Sequence, residues 1–79
     1  MVTVLRSEGP RVVIFTDDHE PAHVHVFGDG EAKIDLVGKN GFVELVRAVG
    51  MTRTDIRRSM RIVNENRGML LARWREIHG

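Results

Sequence analysis

The chain has 79 residues, a net charge of +1 and no cysteine. That length suits one small domain, so we expect a single domain over residues 1–79 and exclude a two-domain enzyme. The lack of cysteine excludes disulfides, thiolate metal sites and a cysteine nucleophile. A histidine/carboxylate metal site or a partner remains as an extra source of stability for so small a core.

The sequence has no sign of a membrane or export segment. Its apolar runs are all far shorter than the roughly 20 residues that a membrane-spanning helix needs. The start MVTVLRSEGP lacks the charged lead and the apolar core of a signal peptide. We therefore expect a cytoplasmic bacterial protein that does not associate with a membrane.

Charge is divided unevenly along the chain. Residues 1–46 carry four basic residues against eight acidic ones, a net charge of −4. Residues 47–79 carry eight arginines against three acidic residues, a net charge of +5. Such an arginine-rich segment suits binding of nucleic acid or of an acidic protein, and it equally suits a solvated helix face.

The first half of the chain predicts strands separated by turns, because runs rich in β-branched residues alternate with glycine, proline and aspartate. The predicted strands are TVLR, RVVIF, HVHVF and EAKIDLV. The later segment FVELVRAV is ambiguous between a strand and a short helix, and we favour a strand. SEGP and GKNG predict turns, and GDG predicts a hairpin, a simpler role for Gly28 and Gly30 than cradling a phosphate.

The second half predicts a helix. Thr52 and Asp55 have the spacing of a capping box at its start. Gly68 predicts a bend, or a split into two helices. Apolar residues recur at steps of three and four, as on a helix face packed against a sheet: Ile56, Met60, Val63, Leu70, Leu71, Trp74 and Ile77. We therefore predict an α+β domain, in which a small antiparallel sheet of about four strands packs against a C-terminal helix.

The stretch DDHEPAHVHV holds three of the four histidines. Because alternate residues of a strand share a face, His23 and His25 lie side by side on one face, and the valines between them point toward the helix. The loop before this strand can fold back and bring Asp18 and His19 over the two imidazoles. The result is a cluster of imidazoles and carboxylates.

Several uses of this cluster are chemically sound. Two imidazoles and a carboxylate could bind zinc or another divalent ion, with one position open for water. An imidazole pair could instead serve as general base and general acid in a metal-free ribonuclease. Protonated histidines could also bind a phosphate or an acidic partner, and an alternating His-Val strand also suits a purely structural role. The candidate catalytic residues are Asp18, His19, His23 and His25, and the candidate nucleic-acid or partner-binding residues are Arg53, Arg57, Arg58 and Arg61.

The segments TVLR, DDHEPAHVHV, GEAKIDL and ENRGMLLARW together resemble the small bacterial family called domain of unknown function 4160. The resemblance spans nearly the whole chain, and its specific part is the histidine motif. It implies that the motif histidines His19, His23 and His25 are the candidate functional positions, with Asp18 alongside them. It also implies a neighbouring gene of the family called domain of unknown function 2442, and such gene pairs resemble toxin–antitoxin modules.

Two functional hypotheses result. In the first, the chain is the toxin-like member of a two-gene module and acts on RNA or a nucleotide substrate through its histidine cluster. In the second, it is a non-enzymatic, antitoxin-like module that binds protein or DNA through its arginine-rich helix. The small protein from the adjacent gene is the expected partner, and RNA, DNA or a second copy of the chain are further candidates.

Overall fold

The computed structural model describes residues 2–6 and 9–79. Within these ranges the strands are β1 (Val2–Arg6), β2 (Arg11–Ile14), β3 (His23–Phe27), β4 (Glu31–Asp35) and β5 (Glu44–Val49). The helices are α1 (Arg53–Glu65) and α2 (Arg67–His78). The predicted turn SEGP lies partly outside the described residues. Its glycine, Gly9, has a φ of 96°, in the left-handed region that glycine tolerates best.

The strands form one antiparallel sheet in chain order, so each strand pairs with the next one along the sequence. The α+β prediction is confirmed, with five strands where about four were predicted. The additional strand is β5, which occupies most of the ambiguous segment FVELVRAV. In the register of the sheet, His25 lies between Val13 of β2 and Lys33 of β4. These neighbours share one face of the sheet.

The core lies on the other face of the sheet. Val24 and Val26 of β3 are fully buried there, as the alternation of HVHVF predicted. They pack in one apolar cluster with residues from both helices, including Ile62, Val63 and Leu70. The remaining core positions of this cluster are Val12, Ile14, Ala32, Ile34, Leu36 and Trp74. Burial of this apolar area is the main source of stability in the domain.

The C-terminal segment forms two helices, separated at Asn66. The start of α1 is the predicted one, since Thr52 Oγ1 accepts a hydrogen bond from the Asp55 amide at 3.1 Å. The split was one of the two outcomes predicted, but it occurs at Asn66 rather than at Gly68. Asn66 caps α1 with its own side chain, which donates to the Ile62 carbonyl at 2.8 Å. Neither helix of the described chain is long and apolar enough to cross a membrane.

Arg67 lies between Val63 and Leu70 of the predicted apolar stripe and fixes the start of α2 against the sheet. Its Nε donates to the Leu36 carbonyl at 2.7 Å, and its Nη2 donates to the Gly41 carbonyl at 2.8 Å. Both acceptors belong to the connection between β4 and β5. The guanidinium therefore satisfies loop carbonyls that an apolar side chain would leave unpaired.

Candidate functional site

His23 and His25 lie side by side on the face of the sheet that is turned away from the core valines. Their ring centroids are 5.2 Å apart. Both residues are buried, with exposed fractions of 4% and 7%. An imidazole pair on an uncovered strand face would be far more exposed, so another part of the chain covers this face.

The cover is the loop between β2 and β3. The Phe15 ring packs edge-on against His25, with centroids 4.5 Å apart. A turn follows, in which the Asp18 amide donates to the Phe15 carbonyl at 3.2 Å. This turn directs the Asp18 carboxylate at both imidazoles. Its Oδ2 lies 3.0 Å from His23 Nε2 and 3.5 Å from His25 Nε2.

Two further contacts hold the loop and the His23 ring in place. His23 Nδ1 lies 2.8 Å from the Pro21 carbonyl oxygen. A carbonyl oxygen only accepts, so Nδ1 carries the proton and donates to it, which leaves Nε2 as the atom that faces Asp18. On the other side of the loop, Trp74 Nε1 of α2 donates to Glu20 Oε1 at 3.2 Å, and the Trp74 ring lies 5.2 Å from the His23 ring.

Three buried polar atoms of the cluster have no hydrogen-bond partner in the described part of the chain: Asp18 Oδ2, His25 Nδ1 and His25 Nε2. Unpaired buried polar atoms are rare, because each loses its hydration without compensation. Burial lowers the pKa of His25, since it disfavours the charged imidazolium, and the Asp18 carboxylate opposes this shift. His25 is therefore neutral near pH 7 and keeps a lone pair on one ring nitrogen.

A cleft of about 470 Å³ opens above the cluster. The loop acids Asp17 and Glu20 line one part of it, and Lys33 and Arg47 line another. These two cations are register partners on β4 and β5. The volume lies within the ~300–1,000 Å³ range of small-molecule sites, so the cleft can admit a nucleotide-sized group.

The structure unites only some of the residues that the sequence put forward. Asp18, His23 and His25 converge, and His19 is exposed at the rim of the cleft. The four candidate arginines are all exposed on α1, and none of them lines the cleft: Arg53, Arg57, Arg58 and Arg61. Because α1 packs on the valine face, the sheet separates these arginines from the histidines.

The sequence reasoning missed the two cations of the cleft and the two residues that brace its loop. The sequence did contain an indication for Lys33: it alternates with core residues on β4 and so shares the face of His25. The sequence contained no such indication for Arg47, because the register shift between β4 and β5 breaks the alternation next to it. The apolar periodicity predicts only a core position for Trp74, and its partner Glu20 is 54 positions away in the sequence.

Comparison with known proteins identifies a family and nothing more specific. The family model for "Domain of unknown function (DUF4160)" matches residues 9–75. The chain therefore belongs to this family, as the resemblance of its motifs indicated. Searches of curated proteins and of solved structures gave no significant match.

Proposed function

We propose that this member of the domain of unknown function 4160 family is the toxin-like component of a bacterial two-gene module. In this proposal it cleaves RNA, or acts on another nucleotide substrate, at the Asp18–His23–His25 cluster. The observation that supports the proposal is the convergence of these three side chains at the base of a cleft that also carries two cations. The proposal includes a cytoplasmic location, where RNA is available.

The arrangement meets the main needs of phosphodiester cleavage. A reacting phosphate needs positive charge to stabilise the negative charge that develops in the transition state. Lys33 and Arg47 line the cleft and could supply it. The attacking hydroxyl also needs a base, a role for which the neutral His25 ring offers a lone pair. The leaving oxygen needs a proton, which the neighbouring imidazole, His23, would donate as general acid.

Growth of a bacterial host after induction of the chain tests the toxin-like role. We expect the wild-type chain to arrest growth of the host and the His25→Gln variant to permit growth. Glutamine keeps an uncharged polar side chain of similar size. Asp29→Asn is the matched control, because it changes an exposed acid of the β3–β4 hairpin that does not line the cleft. Circular dichroism must show that all three chains are folded. Relief by both substitutions, or by neither, would contradict a role for the cluster.

Cleavage of labelled RNA by the purified chain tests the chemistry. Loss of a general acid–base group typically lowers a rate by ~10²–10⁴-fold, and we expect a loss of this size in His25→Gln. The assay is run with and without a chelator. A folded wild-type chain that cleaves RNA in neither condition would refute the enzymatic proposal. The protein encoded by the adjacent gene, proposed here to be of the domain of unknown function 2442 type, should suppress both arrest and cleavage.

A second candidate function is non-enzymatic binding of nucleic acid or an acidic protein through α1. It is favoured by the exposure of Arg53, Arg57, Arg58 and Arg61, none of which forms an ion pair with another described residue. Association that weakens steeply with salt and is unaffected by His25→Gln would support this function over cleavage.

A further inference from the structure

We propose that Asp18, His23 and His25 form a binding site for one divalent transition-metal ion of the zinc class. This inference deepens the proposed function by naming a cofactor for the same cluster. Two imidazoles and one carboxylate are a ligand set that zinc and non-haem iron sites use. Each of the three residues offers a ligand atom, and all three atoms lie within 4.8 Å of one another.

The distances suit a shared ion. Ligand atoms bound ~2.0–2.2 Å from one metal ion are roughly 3–3.5 Å from each other. Asp18 Oδ2 lies 3.0 Å from His23 Nε2 and 3.5 Å from His25 Nε2. The carboxylate oxygen therefore has the spacing expected of an atom that binds the same ion as both imidazoles.

Hydrogen bonding does not explain this convergence. A hydrogen bond from a ring N–H requires the hydrogen to point at the acceptor. Asp18 Oδ2 has no hydrogen-bond partner among the described residues, even though His23 Nε2 is only 3.0 Å away. His25 Nε2 is also unpaired. Buried lone pairs that converge without bonding to each other are what a cation requires.

The tautomer of His23 supports the same assignment. Metal-binding histidines usually donate their other ring N–H to a carbonyl or a carboxylate, which fixes the ring and its tautomer. His23 Nδ1 donates in this way to the Pro21 carbonyl at 2.8 Å. In the neutral ring this tautomer leaves Nε2 with a lone pair that faces the cluster. A lone pair facing a carboxylate is repulsive unless a proton or a cation lies between them.

The position of the cluster favours a reactive ion over a purely structural one. Structural zinc ions are enclosed by four protein ligands, whereas catalytic ones keep a position open. Here three protein ligands converge, and the cleft lies beside them. An ion bound there would be accessible to water and to a phosphate. A zinc-class ion can bind either one, activating water as a nucleophile or polarising a phosphoryl oxygen.

Cobalt(II) titration of the full chain tests the inference. The chain is purified without an affinity tag, stripped with a chelator and titrated while the visible absorption of Co²⁺ is recorded. We expect saturation at one ion per chain. Loss of second-shell partners alone typically weakens metal binding ~10–100-fold, so Asp18→Asn should weaken it by at least this factor. Asp29→Asn, the same chemical change at an exposed residue of the β3–β4 hairpin outside the cleft, should leave it unaltered.

Thermal unfolding separates ligand loss from misfolding. Because an ion that binds only the folded state stabilises it, Zn²⁺ should raise the unfolding midpoint of the wild type and of Asp29→Asn. The same Zn²⁺ concentration should raise the midpoint of Asp18→Asn less, because this variant binds the ion more weakly. A folded wild-type chain without saturable binding of one ion would overturn the inference, and so would equal binding by Asp18→Asn.

The metal-binding and RNA-cleavage experiments can distinguish failure of the metal site from failure of the proposed function. Binding of one ion without RNA cleavage would support the metal site while refuting the proposed enzymatic function. Cleavage by chelator-treated protein that binds no ion would overturn the metal site and leave the proposed function standing, with the imidazoles as direct proton-transfer groups. Cleavage that is lost with the chelator and restored by Zn²⁺ would support both.

Discussion

Gly30 lies where the hairpin between β3 and β4 passes close to the end of β5. A Cβ at this position would overlap the Val49 carbonyl oxygen and the backbone of Gly50, whereas a Cβ at Gly28 would meet open space. Neither Gly28 nor Gly30 has a positive φ, so the two positions differ in space rather than in backbone strain.

This contrast gives a matched pair of substitutions. Gly30→Ala should lower the free energy of unfolding by about 1–3 kcal/mol, because β4 and β5 must separate to admit the methyl group. Gly28→Ala should leave the stability within ~0.5 kcal/mol of wild type. Urea unfolding measures both. Equal losses in the two variants would show that the close backbone approach does not exist in solution.

The pairing of His23 with His25 was predictable from strand alternation, and the way in which the preceding loop covers them was predictable only in part. The expectation that the loop folds back over the imidazoles holds for Asp18, whereas His19 is exposed at the rim of the cleft. The cover comes from Phe15 and Asp18 in the loop before β3. Loop conformation depends on turns and on contacts distant in sequence, and a single sequence does not encode either in a simple period.

At the scale of elements, the strands and the start of α1 were predictable, and the break after α1 was only partly so. Glycine was the visible signal, because Gly68 has the poorest helix propensity in the segment. The structure breaks the helix at Asn66, whose side chain bonds back to the Ile62 carbonyl. Such side-chain competition for a backbone group depends on local geometry rather than on propensity.

The start of α1 can be tested with a threonine pair. Thr52→Ala removes the oxygen that accepts from the Asp55 amide and should lower the free energy of unfolding by about 0.5–2 kcal/mol. Thr54→Ala, an exposed position in the first turn, should not destabilise the chain, since alanine has the higher helix propensity. Chemical denaturation compares them. If Thr54→Ala proved the more damaging, the assigned helix start would be wrong.

The contact between α2 and the site loop can be tested by a double-mutant cycle. Trp74→Phe removes the indole donor, and Glu20→Ala removes its acceptor. A single hydrogen bond contributes about 0.5–1.5 kcal/mol to stability, so we expect a coupling free energy of this size between the two substitutions. Urea unfolding of the four chains measures it. Additive effects would show that the hydrogen bond does not hold the loop.

At the scale of the whole molecule, the charge division of the sequence becomes a division between two sides of the sheet. The histidine cluster and the loop acids lie on one side, and the arginines of α1 lie on the other. The sequence predicted the imbalance between its halves. It did not show that the cluster would acquire its own cations, Lys33 and Arg47, from neighbouring strands.

This separation makes a prediction about substrate length, which rests on the proposed action on RNA. A dinucleotide reaches only the cleft, whereas a long RNA can also follow the molecule to α1. Arg57→Ala/Arg61→Ala should therefore weaken binding of a long RNA. The slope of the logarithm of its binding constant against the logarithm of the salt concentration should become smaller in magnitude by about 2, roughly one per lost phosphate contact. Cleavage of a dinucleotide should be unchanged.

A control variant that removes the same number of positive charges elsewhere shows whether the position of the arginines on α1 matters. Lys39→Ala/Arg75→Ala also removes two exposed cations, but from the β4–β5 connection and α2. Equal weakening by the two double variants would mean that net charge alone attracts RNA. Slower dinucleotide cleavage in the α1 variant would mean that the two faces are not independent. Weakening confined to the α1 variant, with dinucleotide cleavage intact, would define α1 as a docking surface that serves a cleft on the opposite side of the sheet.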